Sequence, residues 1–295
     1  MITPWQHGRF DARTGPSKVL FGRMYEDVAI ERAAFRPRSR VFCIASAGCT
    51  AIGLAADRHD VVAIDINRDQ LAYAADRIAG RPAIRGTAER VMGVARAFAP
   101  LVGWTRRRLR AFLELDDPAA QVEMWRALDT WRLRAAFGAL FSVTALRAVY
   151  ASPFLAFLPS RLGAVMRARL ARCFARHANR TNPYARALLL GELADDPPPG
   201  AGSIELVHGD AAEYLESAPA ASFDAFTLSN ILDGTGPAYR ARLFAAVRRA
   251  AAPGATAVLR SFAEPAGDLP TNHAVDDRAM LWGIVDVRPA AELSA

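Results

Sequence analysis

Residues 40–79 carry the feature that most limits what this chain can fold into. Arg40-Val41-Phe42-Cys43-Ile44-Ala45-Ser46 is an apolar run of strand length. Ala47-Gly48-Cys49 turns the chain, and Thr50–Ala56 reads as helix. Val61-Val62-Ala63-Ile64-Asp65-Ile66-Asn67 is a second apolar strand that ends at an acid, and Asp69–Ala79 reads as helix again. Such βαβα alternation specifies a parallel sheet with helices packed on it.

The pattern stops near residue 80 and resumes near 201. Ile204-Glu205-Leu206-Val207-His208 reads as a third strand followed by Gly209-Asp210, and Phe223–Asn230 as a fourth. Pro237–Ala252 has apolar residues at helical spacing (Tyr239, Leu243, Phe244, Val247), and Pro253-Gly254 ends it. Ala255–Phe262 is a fifth strand and Met280–Val287 a last one. The expected organisation is a discontinuous Rossmann-like domain, residues 1–80 and 201–295, split by an insertion over 81–200.

In doubly wound sheets ligands sit at the carboxyl ends of the strands, near the point where strand order reverses. Ser46, Gly48, Asp65, Asp210, Ser229, Asn230 and Arg260 all fall at such ends. Small residues at a strand end admit a ligand close to the backbone, and the next helix N-terminus offers free N–H groups. Asp65 follows Gly48 by 17 residues, the spacing of an acid that meets a ribose diol. The turn has a single glycine rather than G-x-G-x-x-G. That departs from most nicotinamide sites and fits the looser loop of S-adenosylmethionine (SAM) enzymes, hence a class I SAM-methyltransferase-like α/β fold.

The insertion differs in charge from the rest. Residues 81–200 hold 19 Arg against 9 Asp and Glu, a net +10, whereas the remainder is net −3. The one lysine is Lys18. Arg106-Arg107-Arg108 and Arg110 cluster, and arginines 161, 167, 169, 172 and 176 alternate with apolar residues at helix-like spacing. Solvated helix faces or attraction to an anionic membrane both account for this. Nucleic acid is not expected, because aromatic interleaving and binding motifs are missing. Residues 135–160 hold one charge, Arg147, but Arg147, Pro153 and Pro159 argue against a span. They read as two apolar helical pieces, buried or lying at a membrane surface. Phe137, Leu140, Phe141, Tyr150, Phe154, Leu155 and Phe157 either fill a core or line a cavity for acyl chains. Asn179–Tyr184 closes the insertion and reads as a wall on the substrate side. Three cysteines give neither a disulfide framework nor metal-ligand spacing, so no metal is expected. No convincing targeting segment is read at the N-terminus. The expected location is cytoplasmic and peripheral at the inner face of the membrane.

Phe21-Gly22-Arg23-Met24-Tyr25-Glu26-Asp27, Ser39-Arg40-Val41 and Ala45-Ser46-Ala47-Gly48-Cys49-Thr50 resemble the betaine-lipid synthase family, SAM:diacylglycerol 3-amino-3-carboxypropyltransferases. Asp65-Ile66-Asn67 with Gln70, and Leu228-Ser229-Asn230-Ile231-Leu232-Asp233, are similar too, so the resemblance spans nearly the whole chain. It implies SAM as co-substrate, attack at Cγ of its methionine-derived arm, release of methylthioadenosine, and a lipid or small-molecule hydroxyl acceptor.

The resemblance also implies roles. Backbone groups of Ser46, Ala47 and Gly48 hold the amino-acid part or ribose of SAM, and Asp65 with Ile66 the ribose diol. Asp210 takes the adenine amino group with Ala211 beside it. Tyr25 and Glu26 close over the sulfonium and the amino group, near Ser229 and Asn230. Arg260 forks onto the substrate carboxylate. Asp233 is the first candidate for general base and His208 the second. Two alternatives keep the fold: a SAM methyltransferase on a small molecule, and aminocarboxypropyl transfer to a soluble acceptor. A protein that binds membrane or nucleic acid without catalysis is a third.

Overall fold

The structure, a computed structural model, describes residues 18–147, 152–194, 197 and 200–294. Tyr150 and the first 17 residues lie outside the described residues. After a loop over 18–28 and α1 (Ala29–Ala34) come β1 (Arg40–Ile44), α2 (Cys49–Ala56), β2 (Asp60–Asp65) and α3 (Arg68–Ile78). The insertion contributes α4 (Thr87–Phe98), a 3-10 turn (Ala99–Val102), α5 (Arg106–Leu113), α6 (Pro118–Leu128), α7 (Trp131–Leu140), α8 (Val143–Arg147), α9 (Ser152–Leu155), α10 (Leu162–Phe174) and α11 (Pro183–Leu190). The sheet domain then resumes with β3 (Ile204–His208), α12 (Ala211–Ser217), β4 (Phe223–Thr227), α13 (Pro237–Ala250), β5 (Ala251–Ser261) and β6 (Ile284–Pro289).

The strands form one six-stranded sheet in the order β3-β2-β1-β4-β5-β6. The first five run parallel. β6 pairs antiparallel with β5, Val258 opposite Val287. No helical crossover lies between β5 and β6, so the chain returns in the opposite sense. The fold is α/β and Rossmann-like, with an antiparallel edge strand that the sequence pattern did not indicate. Boundaries also move, the last strand from Met280–Val287 to Ile284–Pro289 among them. α13 ends two residues early, and β5 takes in Pro253 and Gly254 where its register with β4 shifts.

Apolar residues cover both faces, as a parallel sheet requires. Phe42, Val62, Ile64 and Phe226 face α12 and α13 through Leu215, Leu243, Phe244 and Val247. Their neighbours Val41, Cys43, Val61, Ala63 and Ala225 face the other way, onto Ile30, Ala51, Leu54 and Trp282. The insertion has a core of its own, in which Trp104, Phe112, Trp125 and Phe174 pack edge to face or tilted.

Arginines fasten the insertion to the sheet domain. Arg169 is buried on α10 and donates to the carbonyls of Phe262 and Leu281 and to Glu264. Arg172 donates to the carbonyls of Ala274 and Trp282, and Arg176 pairs with Asp276. Arg169 and Arg172 are neither solvated faces nor free for a membrane, whereas Arg176 makes its ion pair at the surface. The apolar stretch 135–160 is broken into the end of α7, α8 and α9. Among the described residues no helix is long and apolar enough to cross a membrane. Its aromatic residues do not gather into one cavity. Phe137 packs on Trp104 within the insertion, Phe154 on Phe262 beyond β5, and Leu140 is exposed.

Candidate functional site

The chain leaves β1 for β2 and β3 on one side and returns to β4 and β5 on the other. The carboxyl ends of β1 and β4 therefore flank the crevice where strand order reverses. At the β1 end Ser46 and Gly48 both adopt left-handed backbone angles, φ 42° and 81°. A Cβ on Gly48 would meet only Ala74, at 3.5 Å, so the turn needs glycine for its φ and not for space. Gly48 starts α2, and its N–H closes the turn onto the Ala45 carbonyl.

Asp65 ends β2 beside this turn. Its Oδ2 accepts the Ser46 N–H at 3.0 Å and its Oδ1 the Asn67 N–H at 2.8 Å. Burial pushes its carboxyl up to about 6, against the pull of those N–H groups and that of Ile66. Ser46, Gly48, Asp65 and Ile66 are thus brought together. Ala47 is fully buried, and its carbonyl is taken by Arg77. It supports the turn and does not face a ligand.

The loop over residues 18–28 crosses the carboxyl end of the sheet and is held along its length. The Gln70 side chain accepts from Leu20 N–H and donates to the Phe21 carbonyl, and the Tyr73 hydroxyl donates to the Gly22 carbonyl. Glu89, buried on α4, accepts from the N–H groups of Gly22 and Gly86. Trp282 Nε1 donates to the Tyr25 carbonyl and Tyr184 Oη to the Glu26 carbonyl, both at 2.7 Å. The Tyr25-Glu26 peptide is therefore clamped from α11 and from the stretch before β6. Tyr25 and Tyr184, with Arg23 and Pro183, line a small cavity of about 40 Å³. The Tyr25 hydroxyl is buried with no hydrogen-bond partner among the described residues, and burial raises its pKa.

Glu26 reaches the space between β4 and β5. Its Oε1 accepts the Ser229 hydroxyl, from the left-handed turn after β4. Its Oε2 is buried, has no hydrogen-bond partner among the described residues, and lies 3.7 Å from Arg260. Burial pushes the Glu26 carboxyl up to about 7, although Arg260 and Ser229 pull it down.

Arg260 corrects an expectation. Its side chain is completely buried, and its fork is filled: Nη1 and Nη2 meet the two Glu31 oxygens at 2.5 and 3.0 Å, and Nε meets Asp277 at 3.2 Å. Nη2 also donates to the Asp27 carbonyl. No face of the guanidinium is left for a substrate carboxylate. Four buried carboxylates, Glu26, Asp27, Glu31 and Asp277, meet two arginines, Arg260 and Arg278. Asp277 is also pushed up, to about 6, by burial. The cluster lacks positive charge, and Glu26 Oε2 is the acceptor left open.

Asp233 lies beyond Ser229 and Asn230. It is buried, accepts the Ser261 hydroxyl at 2.6 Å and the Phe262 N–H at 2.9 Å, and is pushed up by burial. Asn230 Nδ2 is 3.5 Å away. With Phe157, Leu232, Phe244 and Leu259, Asp233 lines a cavity of about 240 Å³. His208 ends β3, exposed, in register with Asp65, so β2, β1 and β4 separate it from Asp233. The two candidate bases do not share a site. Asp210 caps α12, accepting the Glu213 N–H, and also accepts the Tyr239 hydroxyl at 2.8 Å. Ala211 is buried beside it.

Sequence reasoning missed Glu31, Asp277, Trp282 and Glu89 as positioning residues. Their partners lie too far along the chain to suggest the pairing. Of the stretch Asn179–Tyr184, Pro183 and Tyr184 line the small cavity beside Tyr25. Asn179 and Asn182 are buried in structural bonds, to the Phe112 and Arg278 carbonyls respectively. Neither a protein-family model nor a curated protein matches this chain.

Proposed function

We propose that the protein is a SAM-dependent transferase that moves the 3-amino-3-carboxypropyl group to a hydroxyl of diacylglycerol and releases methylthioadenosine. The observation that carries this reading is the buried Oε2 of Glu26, without a hydrogen-bond donor among the described residues, at the carboxyl end of β4 next to the reversal of strand order. A buried carboxylate oxygen without a hydrogen-bond donor is costly, even with the Arg260 guanidinium 3.7 Å away. The ammonium of an amino-acid arm supplies the donor. Asp65 and the Ser46–Gly48 turn, across the crevice, suit the ribose. Asp210 and Ala211, at the start of α12 just after the next strand, suit adenine. The likeness of the Tyr25-Glu26 and Ser-Ala-Gly-Cys segments to betaine-lipid synthases supplies the choice of transferred group.

Bound SAM provides an activated carbon and a neutral thioether leaving group. The chain's part is to orient and to take a proton. Glu26 anchors the amino group, and the clamp from Trp282 and Tyr184 fixes Glu26. The acceptor oxygen bonds to Cγ as the carbon–sulfur bond breaks, and its proton passes to Asp233, which burial makes a stronger base than an exposed carboxylate. Arg260 acts through Glu31 and Asp277 as a positioning residue and touches no ligand. We place the reaction at the cytoplasmic face of an anionic membrane. SAM binding by calorimetry, followed by analysis of the by-product, tests the proposal. Methylthioadenosine supports it. S-adenosylhomocysteine would move the protein to the methyltransferases, and absence of SAM binding removes both readings.

A further inference from the structure

Helix α4 is built inside out. Its buried side holds Glu89, which binds the Gly22, Arg23 and Gly86 N–H groups, and Arg96, which donates to the Leu188 carbonyl. Its outer side holds Val91, Val94 and Phe98, and the 3-10 turn continues the stripe with Leu101. Val94, Phe98 and Leu101 are 62%, 61% and 72% exposed. A helix on a water-facing surface normally carries the reverse pattern. Apolar residues exposed singly need no explanation, but a contiguous row does. Helix α7, packed on the same turn, adds Trp131, 73% exposed with the Arg132 guanidinium over its ring.

The charge along this stretch of the chain is basic, with Glu192 paired to Arg106 and Arg110. Residues 90–113 contain six arginines and no acid. Arg90 and Arg107 are exposed and have no ion-pair partner among the described residues. A second copy of the chain is a poor occupant, because a two-fold interface would set arginines against arginines. Apolar side chains flanked by arginine fit the headgroup boundary of an anionic bilayer.

We infer that the outer face of α4 and the following turn is the membrane-docking surface, with Val94, Phe98 and Leu101 inserted among acyl chains and Arg90 and Arg107 on anionic headgroups. The same helix holds the Gly22-Arg23 backbone through Glu89, three residues before Glu26, so docking sets the site beside the lipid. This deepens the proposed reading of a lipid acceptor and rests on it for its purpose, but it is tested without turnover.

The experiment is flotation of the whole protein with vesicles of phosphatidylcholine alone and of equal parts phosphatidylcholine and phosphatidylglycerol. Wild type is expected to float with the anionic vesicles only, and less as salt is raised. Phe98→Ser with Leu101→Ser should lower binding tenfold or more while the melting temperature holds. Arg90→Gln with Arg107→Gln should lower it and flatten the salt dependence. Vesicle binding that the serine variant leaves unchanged overturns the inference. So does a wild-type dimer in solution that the serine variant makes monomeric, because a second copy would then cover the face. Transfer to detergent-dispersed diacylglycerol without vesicle binding would overturn this inference and leave the proposed activity standing; vesicle binding without transfer would do the opposite.

Discussion

Glu26→Gln separates a binding role from a structural one, because the two predict opposite signs. Burial raises the carboxyl from 4.5 to about 7, and each pKa unit is worth about 1.4 kcal/mol between the protonation states. The ionised form therefore costs the folded protein about 3 kcal/mol. The folded pKa lies above the unfolded one, so this stability is present below about pH 4.5 and is lost as pH rises to about 7. The amide keeps an acceptor for Ser229 and carries no charge. The variant should match wild type near pH 4.5 and exceed it by about 2–3 kcal/mol at pH 8 in urea unfolding. SAM affinity should move the other way. Losing a charge-assisted hydrogen bond to the ammonium costs about 1.5–3 kcal/mol, a ten- to hundredfold rise in Kd by calorimetry. Wild-type affinity should climb as pH rises through 7 and the variant's should not. A variant that is less stable at pH 8, or that binds SAM as wild type does, refutes the assignment.

Other substitutions test the frame around the site. A Cβ on Gly22 would lie 1.9 Å from the Ile84 carbonyl oxygen. Gly22→Ala should therefore cost at least about 2 kcal/mol in thermal unfolding, whereas Gly48→Ala, strained by φ alone, should cost about 1 kcal/mol. Arg169→Ala strands the carbonyls of Phe262 and Leu281 and should destabilise by about 3–5 kcal/mol, read by urea. Stability equal to wild type would mean that Arg169 does not hold the insertion. Asp65→Asn can no longer accept from both Ser46 and Asn67 N–H. It should lose SAM binding at least tenfold with a modest loss of stability, about 1–3 kcal/mol.

The parallel strands were legible because each is a short apolar run ending in small or polar residues. β1 and β2, and the turn at Gly48, fall where the pattern puts them. The direction of β6 was not legible, since it depends on a connection without a regular pattern. Arg260 was misread for a different reason. An arginine near a strand end looks the same in sequence whether it faces a ligand or two carboxylates. Its partner Glu31 lies 229 residues away. The same holds for α4, where an apolar stripe at helical spacing says that a face is apolar but not which way it points. Only Glu89 and Arg96, bound to backbone on the inner side, fix its orientation. The net charge of the insertion also divided. Arg169, Arg172 and Arg176 bind the sheet domain, and the exposed arginines of 90–110 are one part of the charge that stays at the surface.

The most direct test follows the transferred group. The protein is incubated with anionic vesicles containing diacylglycerol and with SAM labelled in its carboxyl carbon or, in a parallel reaction, in its methyl carbon. The account predicts carboxyl label in the lipid fraction and methyl label in released methylthioadenosine. Methyl label in the lipid with carboxyl label in S-adenosylhomocysteine would contradict it.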